Sequence, residues 1–179
     1  MTSDANLMLR ERSGLIRVRV NWPPPECGGP NPVLVFLSTD EEPTDRVDGL
    51  CRELCAAACV VVLSVRTACR ETAATALEWA ADHATQLEAD TATMLLGGVG
   101  KGGALAAQVA LGTRESGWPT LAGDVLLVDG GQPVADVARV LRTALSSGRG
   151  RDGSPRPLVT RRTGTDGDTP SQGSADSVE

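Results

Sequence analysis

The sequence is poor in the side chains that bind nucleic acids, membranes and many ligands. Its 179 residues include three Trp, one Phe and no Tyr, and they carry a net charge of −6. Lys101 is the only lysine and His83 is the only histidine. So few aromatic rings leave little material for base stacking, and the acidic balance opposes binding to phosphate backbones and anionic lipids. We therefore predict no nucleic-acid partner and no membrane partner.

The sequence also lacks a leader pattern and a long apolar run. Its first residues do not show the charged segment followed by an apolar one that marks a signal peptide. The longest apolar run, Leu54 to Leu63, is much shorter than the ~18 residues that a helix needs to cross a bilayer. These features predict a cytoplasmic protein.

The cysteines are odd in number and follow no export signal, which argues against a disulfide framework. Three of them are spaced four residues apart and could line one face of a helix as small buried side chains. No nearby histidine or second cluster completes a tetrahedral metal site with them. We predict no metal and no cofactor. The cysteines are Cys27, Cys51, Cys55, Cys59 and Cys69.

Apolar residues follow two alternating patterns along the chain. Runs that are apolar on both faces predict buried strands, and repeats at three- and four-residue spacing predict helices. Residues 15–20 alternate apolar and basic side chains, which is typical of an antiparallel strand at the margin of a sheet. The predicted fold class is α/β, with a mostly parallel sheet, helices on both faces and antiparallel N-terminal strand(s). Further strands are predicted at 33–37, 60–65, 93–96 and 124–129, and helices at 45–58, 71–88, 104–111 and 134–145.

Composition sets the predicted boundaries. We expect residues 1–13 to be a flexible N-terminus and residues 14–146 to form one domain, with a turn at 89–91 and a loop at 112–123. From residue 147 onward Gly, Ser, Thr, Asp, Arg and Pro dominate. This composition predicts a linker over 147–163, with a weak strand at 157–160, and a disordered tail over 164–179.

The glycine turn, residues 97–103, follows a predicted buried strand and precedes an Ala-rich helix. One interpretation is a phosphate loop, because Gly97 to Lys101 resembles the middle of that motif. However, Leu95 stands where the first glycine belongs, and Gly102 stands where a hydroxyl must hold magnesium. The other interpretation is a nucleophile elbow, Gly-x-Ser-x-Gly, in which small residues allow a tight strand-to-helix turn. Gly98, Val99, Gly100, Lys101 and Gly102 fit that template with Gly100 in place of the serine.

Taken with its flanks, the turn resembles the acetyl-esterase and hormone-sensitive-lipase branch of the α/β-hydrolases, whose elbow reads Gly-Asp-Ser-Ala-Gly-Gly. The resemblance extends over most of residues 14–131 and implies a shortened, partial α/β-hydrolase fold and, if the chain is active, ester hydrolysis. It rests on segments that are similar to successive strands and helices of that family. These segments are 32–37, 51–54, 59–62, 76–90 and 121–127.

The departures from that family fall on the residues that perform its chemistry. Its oxyanion segment, His-Gly-Gly-Gly, would begin at Ser38, where this chain reads Ser38, Thr39, Asp40, Glu41 and Glu42, and carboxylates at this place would oppose a developing negative charge. Gly100 offers no nucleophile, and His83 lies upstream of the elbow instead of late in the chain. Asp166 or Asp168 lies near the place in the sequence where the family has its catalytic acid, but this chain offers no serine and no suitably placed histidine for that acid to assist. The sequence therefore predicts a non-catalytic relative with no catalytic residue.

Three alternatives stay open. Backbone amides at Gly100 and Gly102, with Lys101 beside them, could contact a phosphate or a carboxylate. A weak hydrolase could use a non-standard nucleophile such as Cys69 or Ser64. A second copy or another protein could pair with an uncovered sheet edge, such as the edge of the strand at residues 124–128.

Overall fold

The computed structural model describes residues 1–11, 14–122, 125–128 and 133–147, and within them it contains one six-stranded sheet flanked by four α-helices. The strand order is β1-β2-β4-β3-β5-β6. The strands are β1 (Ser3–Glu11), β2 (Gly14–Trp22), β3 (Asn31–Ser38), β4 (Val61–Arg66), β5 (Ala89–Val99) and β6 (Leu126–Val128). The helices are α1 (Thr44–Ala58), α2 (Arg70–Asp82), α3 (Lys101–Ser116) and α4 (Val134–Ser147), and a short 3-10 helix spans Pro25–Cys27.

The sheet is mostly parallel, as the alternation of strands and helices predicts. β3 to β6 run parallel to one another, whereas β1 and β2 are antiparallel to their neighbours. Side chains of β3 alternate between the two faces: Val33, Val35 and Leu37 pack with α2 and α3, and Leu34 and Phe36 pack with α1 and α4. Both faces of the central strands are therefore buried, and the predicted α/β class is confirmed.

The flexible N-terminus predicted for residues 1–13 is wrong over most of its length. β1 pairs with β2 in unbroken register from Ser3 opposite Trp22 to Glu11 opposite Gly14. Leu9 is buried in the core and Leu7 packs against it. Only these two leucines fix the strand to the core, so the segment carries little apolar signal in the sequence.

Two boundaries within the domain also differ from the predictions. α2 ends at Asp82 instead of continuing to residue 88, and β5 already begins at Ala89, where a turn is predicted. Ala84 and Leu87 lie in the turn between α2 and β5 and are buried, so their spacing in the sequence looks like a continuation of the helix. α3 continues past the predicted end at residue 111 to Ser116, where Gly117 ends it in a left-handed conformation with φ 76°.

The prediction against a disulfide is wrong. Cys27 and Cys59 form one, with Cα atoms 5.5 Å apart, because the loop before β3 and the end of α1 meet at the same end of the sheet. Cys51 and Cys55 are buried as predicted, and burial raises the pKa of each thiol to about 12. Since disulfides are typical of oxidising compartments, the cytoplasmic location stays a prediction.

Three predicted segments fall outside the described residues: the linker at 147–163 beyond Ser147, the weak strand at 157–160 and the disordered tail at 164–179. Within the residues that the structure describes, none of the helices combines the length and the apolar character needed to cross a membrane.

Candidate functional site

The glycine turn joins β5 to α3 at the end of the sheet where the parallel strands finish. Gly100 is the single residue between the last strand position, Val99, and the first helical one, Lys101. Its dihedral angles are φ 54° and ψ −124°, a combination that glycine adopts far more readily than residues with a Cβ. The backbone carbonyl of Gly100 accepts a hydrogen bond of 3.1 Å from the Gly103 amide and starts the helix.

The two glycines that flank Gly100 are held against backbone atoms. A Cβ on Gly98 would lie 2.6 Å from the carbonyl oxygens of Gly102 and of Leu37. A Cβ on Gly102 would overlap the Leu37 carbonyl and would stand 2.8 Å from the Ser38 Cα. The turn therefore packs directly on the end of β3, and only a residue without a side chain fits at either position.

The acidic loop, residues 38–42, follows β3 and faces the glycine turn. The Glu42 carboxylate accepts hydrogen bonds from the Thr39 amide at 2.9 Å and from the Thr39 hydroxyl at 3.0 Å. The Arg66 guanidinium at the end of β4 donates to the backbone oxygens of Thr39 and Glu42, both at 2.9 Å. It also lies 3.8 Å from the Asp40 carboxylate. One arginine thus fixes both ends of the loop.

Glu42 occupies the space in front of Gly100. A Cβ built on Gly100 would overlap the Glu42 Oε1 atom, so the carboxylate stands where a larger residue at this position would project its side chain. Burial alone would raise the pKa of Glu42, but the hydrogen bonds from Thr39 and the charge of Arg66 outweigh it and lower the pKa below the ordinary 4.5. The group beside the elbow is therefore an ionised carboxylate at neutral pH.

A second carboxylate meets Lys101, the first residue of α3. The Lys101 ammonium forms an ion pair with Glu41, and both side chains are largely exposed. The hydrogen bond and charge of Glu41 raise the pKa of Lys101, which keeps it positively charged. The only lysine of the chain is thereby paired with a neighbouring acid of the acidic loop.

A cavity of 560 Å³ lies beside Gly100, between the acidic loop, α1 and the ends of β5 and β6. Its inner wall is apolar, and its charged lining residues are mainly acidic. The apolar residues are Val47, Leu50, Val99, Val128 and Val134, and the charged ones are Glu41, Glu42, Asp45, Arg46 and Glu53. In the described part of the chain, no group of three His, Cys, Asp or Glu side chains is placed to hold a metal ion.

Comparison with known families bears on this strand–turn–helix arrangement. The sequence pattern of the alpha/beta hydrolase fold matches residues 39–164, well over half of the chain. The chain belongs to the α/β-hydrolase fold family. This assignment confirms the resemblance seen in the sequence. No curated protein matches the chain.

Several solved structures are similar to this chain. DphMB1 is 32% identical with a TM-score of 0.61, over 70% of this chain and 44% of that one. An esterase of Pyrobaculum calidifontis is 26% identical with a TM-score of 0.60, over 69% of this chain and 43% of its own. The esterase LipW of Mycobacterium marinum is 25% identical with a TM-score of 0.61, over 70% and 43%. This chain therefore spans less than half the length of these relatives.

The only histidine lies far from the elbow that the α/β-hydrolase template assigns to Gly98–Gly102. His83 follows α2, where its Nδ1 atom is 2.9 Å from the Trp79 carbonyl oxygen and its ring stacks on the Trp79 ring at 4.4 Å. This is the end of the sheet where β5 begins, and the eleven residues of β5 separate it from Gly100. Because β3 pairs Asn31 with Ala89 and Leu37 with Gly98, the two ends of β5 are about six strand residues apart, which at ~3.3 Å per residue is roughly 20 Å. His83 is not positioned to activate a group at the elbow.

The other candidates have neighbours of their own or lie outside the described residues. Ser64 on β4 neighbours the buried thiol of Cys51, where it partly opposes the rise in pKa that burial causes. Cys69 is exposed, and its Sγ atom is 3.1 Å from the Glu71 carboxylate. The aspartates considered as an acid, Asp166 and Asp168, are not among the described residues.

Sequence reasoning missed the role of Arg66, and it named Glu42 only as one carboxylate of the altered oxyanion segment, without its position in front of Gly100. Arg66 contacts the loop only because β4 lies next to β3, and Glu42 faces Gly100 only because β5 lies on the other side of β3. Both contacts depend on strand order. The sequence around each residue contains no local pattern that predicts these contacts.

Proposed function

We propose that this chain is a non-catalytic member of the α/β-hydrolase fold family whose elbow is covered by its own acidic loop. The observation that carries the proposal is the overlap between the Glu42 carboxylate and the side-chain position of Gly100. A glycine offers no atom that could be acylated, and the space in front of it holds a negative charge. The relatives named esterases motivate the comparison with ester hydrolysis, which we propose is lost here.

The acidic loop also supports the proposal, because its charges would destabilise the transition state of ester hydrolysis. Ester hydrolysis needs backbone N–H groups that point at a developing oxyanion, and each is worth ~10² to 10³ in rate. The Thr39 amide already donates to Glu42. The carboxylates of Glu41 and Glu42 stand beside the turn and would repel a second negative charge. The arrangement therefore opposes an oxyanion at this place.

The same charges weaken the alternative of an anion site made by Gly100, Lys101 and Gly102. Lys101 is paired with Glu41, and Glu42 lies against Gly100. A phosphate would have to displace one carboxylate and approach the other. We therefore expect no thermal shift of the protein with nucleotides or phosphorylated metabolites. A shift that disappears in Lys101→Ala would favour the anion site instead.

The direct test is hydrolysis of short nitrophenyl esters by the purified chain. We expect no turnover above that of the heat-denatured protein. The matched control is Cys69→Ser, because the exposed Cys69 thiol is the accessible group that could be acylated once without turning over. Repeated turnover that survives this substitution and disappears on denaturation would contradict the proposal, and loss of that turnover in Cys69→Ser would assign it to a non-standard thiol site.

A further inference from the structure

Among the strands that the structure describes, none lies beside the outer edge of β1, which is a row of backbone groups. β1 ends the sheet, and none of the strands in the described ranges pairs with its outer side. Natural proteins protect such edges with charged side chains, especially lysine, and with proline, bulges or very short strands. The charged residues of β1 lie near its two ends, at Asp4, Arg10 and Glu11, and its centre is uncharged. β1 contains no lysine, proline or glycine, is nine residues long and pairs with β2 without a bulge. The edge is therefore a template for a further strand.

We propose that this strand is β1 of a second copy, paired antiparallel about a two-fold axis so that one sheet runs through both molecules. The two-fold axis is perpendicular to the sheet, and directly opposed residues of two antiparallel strands have their side chains on the same face. Because side chains alternate between faces along a strand, two opposed residues are an even number of positions apart in the sequence, and the axis therefore passes through a residue. Centred on Leu7, the pairing uses all nine residues. It sets Ser3 opposite Glu11, Asp4 opposite Arg10, Ala5 opposite Leu9, Asn6 opposite Met8, and Leu7 opposite its copy.

Charge complementarity singles out this register and the second copy as the occupant. Asp4 faces Arg10 at both ends of the pairing, and both residues are exposed in the single chain. Asp4 also accepts from Arg19 at 2.9 Å, and its side chain is 41% exposed, so its carboxylate remains accessible. Moving the centre to Asn6 sets Asp4 opposite Met8, and moving it to Met8 sets Arg10 opposite Asn6. Either shift loses both ion pairs and shortens the overlap.

The side-chain pattern on the two faces agrees with the same register. On the α2 side, Ala5 and Leu9 meet, and the two copies of Leu7 meet at the axis, extending the apolar surface around the buried Leu9. On the other side, Met8 is 54% exposed and would be covered by the neighbouring strand. The proposal does not depend on whether the elbow is catalytic.

The first test is the mass of the full chain in solution, measured by sedimentation over a range of concentrations. We expect a concentration-dependent dimer. Arg10→Asp sets carboxylates opposite each other at two places and should weaken dimerisation about tenfold or more. The exchange Asp4→Arg with Arg10→Asp should restore it, and Arg52→Asp, an exposed charge reversal on α1, should leave it unchanged. A monomer at every concentration, or a dimer indifferent to Arg10→Asp, would overturn the proposal.

The second test fixes the register by cross-linking in a Cys69→Ser background. Directly opposed residues of antiparallel strands have Cα atoms about 4.5–5.5 Å apart, which a disulfide spans. Leu7→Cys should therefore cross-link two copies under mild oxidation. The matched control is Ala5→Cys, whose two copies lie four residues apart along the strands, roughly 13 Å, and should not cross-link. Equal cross-linking of both variants, or none with Leu7→Cys, would exclude this pairing.

Discussion

The glycine turn and the acidic loop face each other at one end of the sheet, but they are held by different interactions. The turn is fixed by backbone atoms: Gly98 and Gly102 leave no room for a Cβ against Leu37 and Ser38. The acidic loop is fixed by side chains, because Arg66 holds its carbonyls and Glu42 binds the Thr39 amide and hydroxyl. Close packing in the first region demands a particular backbone, whereas the second region depends on polar groups that other residues could replace.

This difference explains why family likeness and proposed chemistry diverge in this chain. The strand–turn–helix geometry is a condition of folding, since the start of helix α3 lies against the end of β3, where Gly98 and Gly102 leave no room for a Cβ. The polar groups of the acidic loop carry no such condition. Gly100 takes part in both regions. Its backbone forms the turn, and the Glu42 carboxylate of the acidic loop occupies the space that a side chain at position 100 would fill.

The largest effect is expected when one methyl group is added to the glycine turn, which tests whether backbone packing constrains this region. Gly102→Ala would force a Cβ into the Leu37 carbonyl, and neither backbone segment can move away without disturbing β3. We expect a loss of about 3 kcal/mol in the free energy of unfolding. Denaturant titration followed by circular dichroism measures this change.

The matched control is Gly49→Ala in α1, where a Cβ would meet no atom within 4 Å. Alanine is the better helix former, so this variant should gain about 0.5–1 kcal/mol. If Gly102→Ala proved as stable as Gly49→Ala, the turn would not be constrained by packing, and the distinction between the two regions would be lost.

A smaller effect is expected at Gly100, where the obstacle is a side chain. Gly100→Ala combines an unfavourable positive φ with displacement of Glu42, and we expect a cost of about 2 kcal/mol. In a Glu42→Ala background the same substitution should cost about 1 kcal/mol less, since only the backbone term remains. A double-mutant cycle by denaturant unfolding measures this coupling. Additive effects would show that Glu42 does not occupy the side-chain position of residue 100.

The sequence predicts the architecture well because each central element carries its own local signal. The apolar run at Val33–Leu37 identifies β3, and the glycine turn is placed between a strand and a helix before any contact is known. Contacts between distant segments carry no such signal. The Cys27–Cys59 bond joins residues 32 apart in sequence, and Arg66 reaches the acidic loop only through strand order.

β1 shows a different limit of sequence reasoning. Its nine residues form a strand although only Leu7 and Leu9 contact the core. Its backbone pairs with β2 along all nine residues, and Glu11 accepts hydrogen bonds from the Thr72 and Thr75 hydroxyls of α2. A weakly apolar segment next to a well-marked strand can therefore join the sheet without a periodicity that would identify it.

The smallest effect is expected in the pH dependence of stability, which tests the polar interactions of the acidic loop. Because the folded pKa of Glu42 lies below its ordinary 4.5, the unfolded chain binds more protons at this group than the folded one as the pH falls. The stability that its ionised form contributes is complete above about pH 4.5 and is lost as the pH falls through the folded pKa. Glu42→Gln should therefore be less stable than the unsubstituted protein near neutral pH, with a difference that shrinks in acid.

Urea unfolding between neutral pH and pH ~3 measures this difference. The control is Glu53→Gln, on the same cavity but without the Thr39 hydrogen bonds, which both go to Glu42. It should change the pH dependence less than Glu42→Gln does. Equal profiles for the two variants would mean that the Thr39 bonds do not hold Glu42 ionised. The acidic loop would then be shaped by Arg66 alone, and the carboxylate in front of Gly100 would be free to leave.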